Sequence, residues 1–164
     1  MLTLGIDPGT ATTGFGLVRE ENDQYALEDC GVICTPANEP MPRRLLQIHR
    51  DLSGLIARWK PDAVAVEELF FNKNVRTAIT VGQARGVILL AAAESGLPVY
   101  EYTPLQVKQA DVGYGRAEKR QIQEMVRILL CLEAAPEPDD AADAVAVALC
   151  HLQSARLTQR LENR

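Results

Sequence analysis

Two periods of apolar and polar residues alternate along the chain, and the switches between them mark its elements. Residues 2 to 7 form a short apolar run that closes on Asp7 and meets Pro8-Gly9-Thr10, which predicts a buried strand ending at a sharp turn. Residues 15 to 20 and 25 to 35 predict two further strands joined by the polar turn 21 to 24, so the chain opens as an antiparallel meander. A proline-bearing loop at 36 to 42 follows. Beyond it Leu45, Ile48, Leu52, Leu55, Ile56 and Trp59 recur at steps of three and four, the stripe of a helix laid on a sheet. Lys60-Pro61-Asp62 ends that helix, and Ala63 to Glu67 is a short β-rich run that again ends in acid.

The second half reads the same way. Val75 to Ser95 predicts a long helix with Gly96 just past its end, and Leu97 to Tyr102 a strand. Thr103-Pro104-Leu105-Gln106 has capping-box spacing with proline at the first helical position, so a short helix carrying Lys108 starts there. The turn at 113 to 115 separates it from a helix over 117 to 130 whose Ile122, Met125, Val126, Leu129 and Leu130 face inward. A final helix spans 139 to 156.

Strand-like and helix-like segments in alternation place the chain in the α/β class. With 164 residues, 47% of them hydrophobic, it is expected to form one domain over 1 to 156, followed by a polar C-terminal tail at 157 to 164. No basic n-region opens the chain, and no uninterrupted apolar run reaches the ~18 residues of a membrane span, so a soluble cytoplasmic protein is expected. Cys30, Cys34, Cys131 and Cys150 lack paired CxxC spacing and read as buried reduced thiols rather than as a disulfide or zinc set. The net charge of −5 is unevenly spread: residues 73 to 127 carry eight basic and five acidic side chains, or +3, which leaves −8 for the remainder. An acidic chain can therefore still present a local basic face to a polyanion.

Four carboxylates change the picture. Asp7 and Glu67 end apolar strands, and Asp140 and Asp143 lie in the first turns of a small-residue helix, where packing alone gives no reason for an acid. The spacing of Asp140 and Asp143 puts both on one helical face. Carboxylates and water are the ligands Mg²⁺ prefers, and two such ions about 3.5–4 Å apart can clamp the attacking and leaving oxygens of a phosphodiester. Each acid has a blander reading. Asp7 suits a turn before Pro-Gly, only one of Glu67 and Glu68 can share its face, and Asp139, Asp140 and Asp143 can act as first-turn acids at a helix dipole. That reading is strongest for Asp139 and weakest for Asp143, which sits among Ala142, Ala144 and Val145.

Phe70 and Phe71 stand together in the polar loop after Glu67, one expected to tuck into the core and the other free to stack on a splayed base. Lys108 and Lys119 flank the turn at 113 to 115, as solvated lysines or as phosphate contacts. Gly82 and Gly86, one turn apart in the long helix, call for close approach of another backbone, from the chain's own sheet or from a second copy. His49 and His151 carry no assignment, and no catalytic serine or cysteine arrangement is visible.

Several blocks together resemble one family. Gly5-Ile6-Asp7-Pro8-Gly9-Thr10 through Gly14 and Gly16, Ala65-Val66-Glu67 with Phe70 and Asn72-Lys73-Asn74, Gly82 to Gly86, Gln106 to Gln109, Ala117-Glu118-Lys119 and Asp140 to Ala144 are similar, in order and over nearly the whole chain, to the RuvC Holliday-junction resolvases of bacteria. The resemblance implies an RNase H-like fold, a five-stranded mixed sheet with helices on both faces. It implies a homodimeric, structure-selective endodeoxyribonuclease that cuts four-way junctions by paired symmetric nicks in homologous recombination and DNA repair. It implies Mg²⁺ or Mn²⁺, two ions per active site, and RuvA and RuvB branch-migration proteins as partners. Carried over residue by residue, it makes Asp7, Glu67, Asp140 and Asp143 catalytic metal ligands and chooses Glu67 over Glu68. Lys119 becomes a catalytic and DNA-binding residue, and Phe70, Lys73, Arg76 and Lys108 further DNA contacts, with Phe70 reaching unpaired bases at the crossover. Gly82 to Gly86 falls on the dimer helix. Two rivals remain: an actin-like phosphotransferase or ATPase, because Asp7 to Thr10 with Gly14 also resembles a phosphate-binding hairpin, and a non-catalytic junction-binding module of the same fold.

Overall fold

The computed structural model describes residues 1–68, 74–113 and 118–162, without the side chains of 111, 112, 159, 160 and 162. Five strands, β1 (Leu2–Asp7), β2 (Thr12–Glu21), β3 (Gln24–Cys34), β4 (Ala63–Glu67) and β5 (Val99–Tyr102), form one sheet in the order β3-β2-β1-β4-β5. The meander β1-β2-β3 is antiparallel, while β4 runs parallel to both β1 and β5, so the sheet is mixed. Helices α1 (Met41–Trp59), α2 (Val75–Glu94), α3 (Pro104–Val112), α4 (Lys119–Leu129) and α5 (Asp139–Glu162) complete it.

Strand alternation divides the core into two layers. Leu2, Leu4, Ile6, Val64 and Val66 pack with Ile48, Leu52 and Ile56 of α1 and Ala84, Ile88 and Ala91 of α2. On the other face Val18 and Ala65 meet Val107 of α3, Ile122 and Val126 of α4, and the small buried residues of α5. Helices therefore cover both faces, and Asp7 and Glu67, out of phase with Ile6 and Val66, belong to the α5 side.

The structure departs from the expected elements in four places. The first hairpin closes on two residues, Asn22 and Asp23, with φ of 52° and 65°, so β2 and β3 pair up to Glu21 and Gln24. Asn and Asp tolerate that left-handed turn, whose twist suits the flanking strands. The polar tail continues α5 through Glu162, because no proline or glycine interrupts it and Arg156 pairs with Asp23 at 2.8 Å. All four cysteines are free, but only Cys150 is buried; Cys30 is half-buried, and Cys34 and Cys131 are exposed, on the last residue of an edge strand and a turn. By length and composition α2 does reach what a membrane span requires, since Arg76 and Arg85 are its only charges before Glu94. It is nonetheless laid on the sheet by Ala84, Ile88, Ala91 and Ala92 and by an ion pair from Arg85 to Glu101 of β5.

Candidate active site

Asp7 and Glu67 are brought side by side by register. Ile6 lies opposite Val66 in the parallel pair, and each acid follows one residue later at the carboxyl end of its strand. Asp140 and Asp143 reach the same place because three glycines let α5 lie almost on the sheet backbone. A Cβ on Gly5 would stand 2.7 Å from the Ala148 nitrogen, one on Gly14 2.5 Å from the Asp140 carbonyl carbon, and one on Gly16 2.8 Å from the Val145 Cα. Gly14 is the cross-strand partner of Asp7 itself. The glycine that admits the helix thus sits beside the acid the helix must meet.

One oxygen each of Asp7, Asp140 and Asp143 lies within 4.8 Å of the others. Glu67 joins through a side-chain hydrogen bond to Asp7. Two carboxyl groups share such a bond only if one holds a proton. Burial, then the charges of Glu67 and Asp143, push the Asp7 carboxyl up to about 8. Burial also raises Glu67 and Asp143, against the pull of nearby lysines. A divalent cation would displace that proton and relieve the repulsion. The cluster therefore fits a hard metal: oxygen donors, three elements, and too little positive charge of its own.

Lys119, the first residue of α4, places its Nζ 3.1 Å from Asp143 Oδ2 and 3.2 Å from Asp139 Oδ2. Beside it a cleft of about 230 Å³ opens between Glu67, Asp143, Lys108 and Lys119, floored by Val107, Ile122 and Ala146. Arg76 is exposed in the first turn of α2, which Asn74 caps through bonds to the Arg76 and Thr77 N–H groups. Phe70, Phe71 and Lys73 lie outside the described residues, as do 114 to 117. Glu68 lies past the end of β4, its N–H bonded to the Tyr102 carbonyl at 2.8 Å.

The two histidines have structural partners. His49 bridges α1 to Glu94 of α2 at 2.7 Å. His151, almost fully buried, bonds Tyr102 through Nδ1 at 2.8 Å and packs on Tyr100, fastening α5 to β5. The sequence reading missed the docking role of Gly5, Gly14 and Gly16. Their alternation in two paired strands was the available signal, but its meaning needs the helix. Asp139, which reads from the sequence as a first-turn acid at the helix dipole, also pairs with Lys119.

These charges set a pH dependence. Asp7 has a folded pKa near 8 against an ordinary value of 3.8, so the folded state holds the extra proton between them and stability falls as pH rises through that window. His151, lowered by burial, acts oppositely but only below its ordinary value of 6.5. Metal-free protein is expected to melt about 5 °C lower at pH 8.5 than at pH 6.5, on the order of 2 kcal/mol, and a divalent cation to recover most of the difference. Equal melting temperatures in chelator at the two pH values would contradict this.

Comparison with known proteins decides the family. The family model described as crossover junction endodeoxyribonuclease RuvC matches residues 3–151. The chain belongs to the RuvC family. It is 61% identical to the RuvC of Syntrophomonas wolfei over 99% of this chain and 95% of that one, and 59% identical to the RuvC of Chloroflexus aurantiacus over 98% of each. Thermus thermophilus RuvC superposes with a TM-score of 0.90 at 42% identity, covering 96% of this chain and 97% of that one. The same protein in complex with a Holliday junction substrate gives 0.88 at 41%, covering 96% of each chain. RuvC membership makes the chain an endodeoxyribonuclease of RNase H-like fold, and it disfavours both the phosphotransferase and the non-catalytic module.

Proposed function

We propose that this RuvC-family enzyme resolves Holliday junctions at the site formed by Asp7, Glu67, Asp140 and Asp143. The observation that carries this reading is the meeting of acids from β1, β4 and α5 under two lysines. The four carboxylates would hold divalent ions, Mg²⁺ or Mn²⁺, two per site. Such ions supply a water activated for in-line attack on phosphorus and neutralise the 3′-oxygen as it leaves. The chain's own residues do the rest. To hold a cation both Asp7 and Glu67 would have to be ionised, so the proton that Asp7 keeps without metal would pass to solvent. Lys119 and Lys108 donate to phosphate oxygens at the cleft. Val107, Ile122 and Ala146 keep its floor dry, which strengthens every charge interaction above it. Lys73 and Arg76 would extend the backbone contacts, and Phe70 would stack on an unpaired base. A labelled four-way junction should yield paired symmetric nicks with divalent cation and none in chelator; uncut junction with cation present would overturn the proposal.

Two symmetric nicks need two sites, and α2 supports a homodimer. Val75, Ile79 and Leu90 are exposed apolar residues on one helical face, and Gly86 lies on the same stripe. Among the described residues a Cβ on Gly86 would meet nothing within 4 Å, which favours a second copy as the backbone that approaches. Ile79→Glu is expected to convert a dimer to a monomer of 18.0 kDa by sedimentation, with loss of paired nicking. Unchanged sedimentation would exclude this face. Family membership supports, as part of the same reading, action in the cytoplasm on recombination and repair intermediates with RuvA and RuvB as partners.

A further inference from the structure

We infer that Asp139, held by Gln123, is a positioning residue that keeps the Lys119 ammonium over the acid-lined cleft and thereby sets the cleavage rate. The inference rests on the site proposed above. Lys119 Nζ contacts two carboxylates, Asp143 at 3.1 Å and Asp139 at 3.2 Å. They are not equivalent. Asp143 shares its charge with Asp7 and Asp140 in the cluster, whereas Asp139 stands outside that group with its side chain two-thirds exposed. Gln123 Nε2 donates to Asp139 Oδ1 at 2.9 Å. That leaves Oδ2 for Lys119. Lys119 and Gln123 are one turn apart on α4, so a single helix face grips Asp139 from both of its oxygens.

An exposed ion pair of this kind contributes little to folding. Its value lies in geometry. Lysine is a point charge on a flexible four-carbon stem, and a phosphate contact needs that charge at one place. A carboxylate that would hold a cation has less charge left for the ammonium, so Asp139, outside the cluster, is the anion that would still fix it.

The test is single-turnover cleavage of a labelled junction at saturating enzyme, with Asp139→Ala, Asp139→Glu and Gln123→Ala, each in the parent and in a Lys119→Ala background. Junction affinity without divalent cation, cation binding by calorimetry and melting temperature are read alongside. Asp139→Ala is expected to slow cleavage roughly 10- to 100-fold. Junction affinity and cation binding should stay within about two-fold, since neither phosphate nor metal is lost as a partner. Asp139→Glu should recover most of the rate, Gln123→Ala should lose less, and neither variant should add to Lys119→Ala. Wild-type cleavage by Asp139→Ala overturns the inference, as does equal slowing with and without Lys119 or weakened cation binding, which would mean action through α5. Full activity in Lys119→Ala with an inactive Asp140→Asn sinks the inference alone; full activity in Asp140→Asn sinks the site.

Discussion

Asp7→Asn is expected to lower cleavage of a four-way junction by three or more orders of magnitude, about 4 kcal/mol of barrier, while junction affinity holds or improves. The asparagine keeps the shape of the side chain and its place at the end of β1. It removes the group that can ionise to hold a cation, and Asp7 lies among the other acids: its carboxyl is raised by the charges of Glu67, Asp143 and Asp140, and one of its oxygens lies within 4.8 Å of Asp140 and Asp143. Below about pH 8 metal-free Asp7 already holds its proton, so the amide leaves the charge facing phosphate unchanged and binding has no reason to weaken. The same variant separates chemistry from stability. An amide cannot ionise, so the drop in melting temperature between pH 6.5 and pH 8.5 in chelator should shrink even as activity vanishes. A variant that nicks at the parent rate would remove Asp7 from the mechanism.

Gly14→Ala is expected to be the most damaging single methyl in the protein. The added carbon would meet the Asp140 carbonyl group, backbone that can yield only if α5 moves. Overpacking a tight core costs about 1–3 kcal/mol where side chains can adjust; with backbone opposite, about 3 kcal/mol or more is expected, a fall in melting temperature of roughly 6–12 °C. Any residual fold would carry Asp140 away from Asp7, so cleavage should fall further than stability explains. Gly54→Ala is the control. That glycine lies inside α1, and an added methyl there would meet nothing within 4 Å, so alanine should stabilise by about 0.5–1 kcal/mol. Equal melting of Gly14→Ala and the parent would show that α5 does not depend on this close approach.

Much of this site was legible because its signals are local. An acid at the end of an apolar strand, Asp7 or Glu67, is conspicuous within six residues. The pairing of Asp140 with Asp143 follows from the helical period alone. Strand alternation also explains why Glu67 and not Glu68 faces α5: the run of residues alone left the two undecided, the family resemblance chose Glu67, and the sheet puts Ala65 on that side. The cysteines are free as expected, but their burial and the end of the last helix were not local: burial of Cys34 or Cys131 depends on what lies across from them, and α5 past Ala155 makes a contact with a hairpin more than a hundred residues away.

Local spacing thus accounts for the elements, their order and the acids at their tips, because hydrophobic period and turn chemistry act over a few residues. Parallel register between β1 and β4, the seating of α5 on three glycines and the grip of α4 on Asp139 belong to the folded protein. They join segments whose separation along the chain exceeds anything a period can encode, and only backbone packed against backbone brings four mutually repelling charges to one point.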